Sequence, residues 1–275
     1  MNQNKYFEKK VQITGELGFK TAFHIGSGKE GDSSSKMGIL KDQNDTPLLP
    51  GSSLKGCFRA YAEHLAGYLN LRACLLDKDL SGVPCVSDET IRKAVDEKIK
   101  GWKSEKSRFE EIYENTCDIC KLFGSPMMAS RIFFSDGELI EWSRGIQVRD
   151  GVCIDRDSET ARPKALYNYE VAPKNTRFAI TIDIENPNRN ERALIAAVLS
   201  EWENGFRMGG LTSRGLGMVK LYNLAVKMVD YTDMTQLKPF LLERKMTEAG
   251  NLLSESLNQV LTGQGGQVDA EKTHQ

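Results

Sequence analysis

Four cysteines, Cys74, Cys85, Cys117 and Cys120, carry the clearest chemistry in this sequence. Cys117-Asp118-Ile119-Cys120 is a CxxC, the spacing that brings two thiolates onto one tetrahedral zinc ion. Cys74 and Cys85 bracket a loop upstream and can complete a four-cysteine site. Zinc would there supply the stability that a segment with little apolar pattern cannot. Two other readings stand beside it: a redox CxxC, which lacks the strand-then-helix setting of such motifs, and incidental thiols. His64 is a substitute ligand, although its place among apolar residues at helical spacing favours a packed histidine. Cys57 is expected in the core, and Cys153 lies apart from the cluster.

Two further stretches suit an anion. LPGSSLKG (Leu49–Gly56) puts small residues and Lys55 at a helix start, where unpaired backbone amides and the helix dipole favour negative charge. Its second glycine is followed by Cys57-Phe58 rather than by Lys-Ser or Lys-Thr, a near miss for a nucleotide P-loop. An ordinary capped helix start is the plainer reading. FRMGGLTSRGLGMV (Phe206–Val219) surrounds Thr212, Ser213 and Arg214 with Gly209, Gly210, Gly215 and Gly217. A backbone without Cβ atoms can come close to a phosphate; the plainer reading is a strand-opening turn that needs positive φ. Two such loops favour a polyanion. A binder of small phosphate compounds is a third class, disfavoured because no acid at ribose-binding spacing accompanies them.

The surrounding elements must position these residues. Val11–Ile25 alternates β-branched and aromatic residues and reads as a strand, and Gly26–Ser35 reads as a polar loop. Leu54, Cys57, Phe58, Tyr61, Leu65, Tyr68 and Leu69 recur at helical spacing, with Ser52 or Ser53 available as the cap. Cys74–Ser125 is irregular and charged, with a short helix near Glu89–Lys100, and its composition suggests a subdomain held by something other than a core. Arg131–Trp142 reads as a strand, or as a hairpin turning at Asp136-Gly137. The polar stretch Ser143–Lys174 has the length and weak core pattern of a functional or disordered loop. Thr176–Ile184 is a strand, Arg189–Phe206 an amphipathic helix and Met218–Val226 a last strand. The tail is expected to carry a helix near Phe240–Val260 and a disordered end. Without its insertions the order is strand, helix, strand, strand, helix, strand: an α+β, ferredoxin-like order.

Composition narrows the class. A chain of 275 residues, 40% of them hydrophobic and 27% charged, can bury a sizeable core. It has no apolar run near the roughly 20 residues of a membrane span. MNQNKYFEKK has no apolar signal segment, so a cytoplasmic address and no membrane partner are expected. The formal net charge of −1 gives no bulk attraction to nucleic acid, so any phosphate binding must be local.

The motifs HIGSG, LPGSSLKG, CDICKLFGSP and GGLTSRGLG, in that order, resemble the RAMP superfamily of CRISPR proteins, and within it the backbone subunits that coat guide RNA in type III effectors. The resemblance implies a modified RNA-recognition fold over residues 9–226. It also implies a cysteine-containing insertion, 71–125, as a zinc-binding lid, and a long thumb hairpin, 143–175, which wedges between guide and target. Residues 227–275 would be a C-terminal helix and flexible tail. Ser52, Ser53, Lys55 and Arg59, with Gly210, Thr212, Ser213 and Arg214, would contact the CRISPR RNA backbone. On the thumb, Arg144, Arg149, Arg156, Arg162 and Lys164 can meet phosphates, while Ile146, Val148, Val152 and Ile154 can wedge or pack; a flexible surface loop is the alternative. Target single-stranded RNA and other effector subunits, including neighbouring backbone copies, are the expected partners.

Relatives that cleave target RNA use an aspartate on the loop after the first strand, with a divalent cation such as Mg2+. The family's spacing, counted back from Lys41-Asp42, falls near Lys36 rather than on an acid. Asp32 is therefore the offset candidate and Glu30 the next; both also suit solvated loop acids. An alternative within the superfamily is a CRISPR RNA-processing endoribonuclease, with His24 as its general base.

Overall fold

The computed structural model describes residues 8–27, 37–74, 83–157 and 159–263, with the side chains at 153 and 161–165 excepted. In chain order the elements begin with β1 (Lys9–Phe19) and α1 (Gly51–Ala66), which runs into a 3-10 turn at Gly67–Leu69. The insertion contributes α2 (Glu89–Ile99), α3 (Glu105–Glu114) and α4 (Asp118–Phe123). Then come β2 (Ile132–Phe134), β3 (Glu138–Glu141), β4 (Gln147–Ile154), β5 (Ala161–Val171), β6 (Arg177–Glu185) and α5 (Arg189–Asn204). The chain continues with β7 (Phe206–Arg207), β8 (Met218–Asp230), α6 (Met234–Glu243), β9 (Thr247–Glu248) and α7 (Leu252–Leu261). No helix among the described residues is long and apolar enough to cross a membrane.

The main sheet has the order β2-β6-β1-β8-β7, with every neighbouring pair antiparallel. With β2 and β3 counted as one edge, the core is β1, α1, β2/β3, β6, α5 and β8, the ferredoxin-like arrangement expected from the element order. Alternation creates one apolar face: Val11, Ile13 and Leu17 of β1 and Phe178, Ile180, Ile182 and Ile184 of β6 are buried. Leu54, Phe58, Ala62 and Ala66 of α1 and Leu194, Val198 and Trp202 of α5 close over it. Phe58 meets Trp202 edge-on at 5.1 Å, and Trp202 stacks on Phe206 at 4.2 Å. Each such side chain contributes about 1.5–3 kcal/mol of burial. The opposite face of the sheet is polar and internally paired: Lys10 with Asp183 at 3.2 Å, and Arg177 with Glu16 and Glu141.

Several expectations need correction. The first strand ends at Phe19, and residues 20–26 leave the sheet. Of the two readings of Arg131–Trp142 the strand holds and the hairpin does not: β2 and β3 both pair with β6, so residues 132–141 form one edge interrupted at Asp136-Gly137. Neither Ser52 nor Ser53 caps α1; Pro50 is the N-cap, and the Gly51 amide donates to Asp136 Oδ1 at 2.7 Å. A carboxylate distant in sequence thus occupies the start of the helix. Tyr68 and His64 point to solvent, because the 3-10 turn ends the apolar stripe at Leu69. The insertion is not separate from the core, since Val86, Val95, Ile99, Ile119 and Leu122 join the main apolar cluster. Among the described residues the tail forms two helices rather than one. Arg244 in a left-handed conformation ends α6, β9 pairs with β8, and α7 packs on α5.

Candidate nucleic-acid interface and four-cysteine centre

Residues 22–26, the start of the HIGSG motif and its approach, run between two other segments singled out in the sequence. On one side lies the glycine loop: Gly210 N donates to His24 O at 2.7 Å and Gly217 N to Ala22 O at 2.9 Å. On the other lies the base of β5, where Phe23 and Ala172 exchange backbone hydrogen bonds and Glu170 O lies 2.7 Å from His24 Nδ1. Ala22, Tyr169, Val171 and Leu216 form a small core beneath the junction. Residues 22–26 thus share one floor with two stretches more than a hundred residues further along the chain.

The glycines of the loop have distinct duties. Gly209, at φ +92°, and Gly217, at φ +73°, sit where a Cβ would overlap the carbonyl oxygens of His24 and Met208. A Cβ at Gly210 would crowd the His24 ring, whereas Gly215, at φ +88°, faces open space. Gly209 and Gly217 are therefore demanded by packing, the plainer of the two sequence readings. The intervening Thr212–Arg214 forms a 3-10 turn whose Ser213 and Arg214 are exposed. The Arg214 guanidinium donates to the Tyr167 hydroxyl and lies over its ring, with Cζ 5.6 Å from the centroid. Nearby, Arg207 Nη1 donates to Thr212 O at 3.2 Å.

β4 and β5 form a two-stranded ribbon of their own, with Arg149 opposite Tyr169 and Gly151 opposite Tyr167. Gly151 has no side chain because the Tyr167 ring crosses it. Val148, Val152, Ile154 and Leu166 are exposed, whereas Ile146 packs against the main core. Arg144, at φ +52°, Arg149 and Arg156 are also exposed. The side chains of Arg162 and Lys164 lie outside the described residues, as do Asp32, Glu30 and Lys36. The ends of the loop that carries Asp32 are described: Ser27 N donates to Gly38 O at 3.2 Å, and Lys41 pairs with buried Glu170 at 3.2 Å. That loop therefore leaves and returns beside the ribbon base and the glycine loop.

His24 is buried at 7% exposure. With Nδ1 engaged by the Glu170 carbonyl, it lacks the access that a general base on an incoming ribose needs.

The helix-start residues have other neighbours. Lys55 Nζ donates to Ser130 Oγ at 2.9 Å, and burial first, then the nearby Arg59 charge, lower its pKa. Arg59 Nε donates to Glu63 at 2.8 Å and Nη2 to Cys120 Sγ at 3.3 Å. Cys57, two residues from Lys55 and so on another side of α1, faces Arg207 O of β7. No described contact brings Lys55 and Arg214, both expected to contact the CRISPR RNA backbone, together. Ser52 is exposed and Ser53 half-buried.

Cys74, Cys85, Cys117 and Cys120 are all buried, with their sulfur atoms within 4.8 Å of one another. Cys117 is the N-cap of α4, so the CxxC forms the first turn of a helix and its amides point at sulfur. Cys74 N and Cys120 N donate to Cys117 Sγ, and Cys117 N donates to Cys85 Sγ, each at 3.4 Å. Ser87 Oγ lies 3.1 Å from Cys120 Sγ. The Cys120 thiol is lowered to about 6, first by its hydrogen bond with Cys117. Sulfurs about 2.3 Å from one tetrahedral ion lie roughly 3.8 Å apart; with all four sulfurs within 4.8 Å of one another, and those of Cys74 and Cys120 3.5 Å apart, the four cysteines could hold a metal ion. His64 is not part of the group.

Sequence reasoning missed the roles of Asp136 and Tyr167. Asp136-Gly137 carries a turn signal and Tyr167 is an aromatic within the polar stretch Ser143–Lys174, but neither pattern names a distant partner.

Comparison with known proteins follows the same lines. A family model described as the RAMP superfamily matches residues 16–220. The chain is also similar to the CRISPR system Cms endoribonuclease Csm3 of Methanothermobacter thermautotrophicus. The two are 24% identical over 255 aligned residues, which cover 80% of this chain and 87% of that protein.

Proposed function

Since the chain belongs to the RAMP superfamily, we propose that it is the guide-RNA-binding backbone subunit of a type III CRISPR interference complex. The observation that supports this reading best is the meeting of three segments at residues 22–26, with the exposed, charged turn Thr212–Arg214 at its edge. A turn with exposed donors and little Cβ bulk can follow a phosphodiester backbone of any sequence. The guide would run past Gly210, Thr212, Ser213 and Arg214, while the ribbon 143–175 serves as a thumb whose exposed Val148, Val152, Ile154 and Leu166 wedge against bases. A wedged or stacked base is worth roughly 1–3 kcal/mol, enough to set register. Arg144, Arg149, Arg162 and Lys164 would meet phosphates along that thumb. Other effector subunits, including further copies of this chain, and target single-stranded RNA are the proposed partners. Residues 9–226 would form the RNA-binding body and 227–275 its C-terminal appendage.

The four-cysteine centre is proposed to hold a structural Zn2+, which when bound supplies cross-linking between the insertion and the core. Cleavage of target RNA would fall to the loop that carries Asp32. Its carboxylate would help remove the proton of a ribose 2′-hydroxyl, and a divalent cation such as Mg2+ would supply charge neutralisation at the phosphate.

Single-stranded RNA affinity measured over a range of salt concentrations tests the binding role. The reading requires little sequence preference and a log–log slope of several units, at roughly 0.7 per phosphate neutralised. Purification from the native host should yield a multi-subunit particle with discrete short RNA; an RNA-free monomer would sink the proposal. Normal cutting of a matched target by an assembly with Asp32→Ala would exclude Asp32.

A further inference from the structure

We propose that Arg59 is a positioning residue of the four-cysteine metal centre, holding Cys120 in place for the ion and tying the insertion to α1, rather than a contact to RNA. This rests on the metal reading of the cluster given above. The argument begins with charge. A divalent ion held by four thiolates leaves a net charge of about −2 in a buried place, and an uncompensated buried charge is costly. Backbone amides and Ser87 offer neutral donors to the sulfurs, whereas Arg59 brings a full positive charge to Cys120 through Nη2 at 3.3 Å.

The geometry is prepared in advance. Glu63, one turn later on α1, takes Arg59 Nε at 2.8 Å and so fixes the plane of the guanidinium with its other edge toward the sulfur. The Arg59 side chain retains only 29% exposure and has two partners, which leaves little of it for a phosphate. Partners of this outer kind orient ligands, and their loss typically weakens metal binding about 10–100-fold. Because Arg59 and buried Phe58 are adjacent on α1, the same contact clamps the insertion to the helix that covers the sheet.

The test compares the wild-type chain with Arg59→Met, which keeps much of the bulk without the charge, and Arg59→Lys, which keeps a charge without the fork. Zinc per chain, the rate of zinc transfer to a chelating dye, and affinity of the zinc-loaded chains for single-stranded RNA are measured. Zinc release should be roughly 10–100-fold faster in Arg59→Met and faster by a smaller factor in Arg59→Lys, with RNA affinity unchanged. Wild-type zinc retention in Arg59→Met overturns the proposal, as does loss of RNA affinity while zinc is kept. If Arg59→Met does not fold, Arg59→Lys decides by the same two criteria. A wild-type chain that binds no zinc defeats the metal reading itself and this proposal with it, an outcome separable from a zinc-loaded protein indifferent to position 59.

Discussion

The Arg214 guanidinium of the glycine loop donates to the Tyr167 hydroxyl of β5 and covers its ring, while the same ring crosses Gly151 of β4. One cation therefore holds the base of the ribbon against the loop proposed to carry guide RNA. This contact joins two parts of the chain 47 residues apart.

Replacing Arg214 by Ala should weaken single-stranded RNA binding by about 1.5–3 kcal/mol, the worth of a charged hydrogen bond. It should also lower the salt slope by roughly 0.7, that of one phosphate contact. The exposed site predicts an unchanged melting temperature for the body. Tyr167→Phe keeps the ring and removes the acceptor, so its RNA affinity should stay near that of the wild type. Unchanged binding in Arg214→Ala would return the loop to a purely structural role.

Gly217 and Gly215 share positive φ but differ in surroundings, which makes them a matched pair. Gly215→Ala enters open space and should cost only the left-handed strain of about 1–2 kcal/mol. Gly217→Ala adds an overlap with the Met208 carbonyl oxygen and should lower the melting temperature much further. Equal melting of the two variants would contradict the packing role assigned to Gly217.

Arg131 and Glu191 form a buried ion pair that joins the residue before β2 to the first turn of α5. Glu191→Ala also removes half of the capping box with Asn188, and should destabilise the chain by about 3–5 kcal/mol in urea unfolding because it leaves Arg131 buried and unpaired. The double variant Arg131→Met, Glu191→Leu should recover much of that loss. A single variant as stable as the wild type would show that water reaches the site.

Burial pushes the Cys57 thiol from 9.0 up to about 12. The folded thiol holds its proton more tightly than the unfolded one, so its stabilising effect is complete below pH 9.0 and is lost as pH rises toward 12. At pH 8 only about one thiol in ten thousand would be ionised, and iodoacetamide should label Cys57 in the native protein far more slowly than in urea. Rapid native labelling at that residue would refute the burial account.

Much of the fold was legible because its signals are local. The alternation in Thr176–Ile184 and the helical recurrence of Leu54, Phe58, Tyr61 and Leu65 depend on neighbours within a turn or a strand, so they named β6, α1 and the ferredoxin-like order. The CxxC declared its chemistry through residue type and spacing, and Cys74 and Cys85 do join it in one group. Errors arose where a local signal had a distant answer. Asp136-Gly137 looks like a turn yet interrupts an edge strand to meet the start of α1, and Ser52-Ser53 looks like a cap yet yields to Asp136.

The sequence by itself determined the main strands and helices of the ferredoxin-like order, which side chains could bind a metal, and which loops could approach an anion, since periodicity and donor chemistry are properties of short stretches. Only the tertiary structure decided their company: that residues 22–26 lie between the glycine loop and the ribbon base, that Arg214 meets Tyr167, and that Arg59 turns to Cys120. The reason is physical. A hydrogen bond or ion pair depends on distances of about 3 Å, and between residues far apart in the chain those distances are set by the packing of the whole core, which no short stretch encodes.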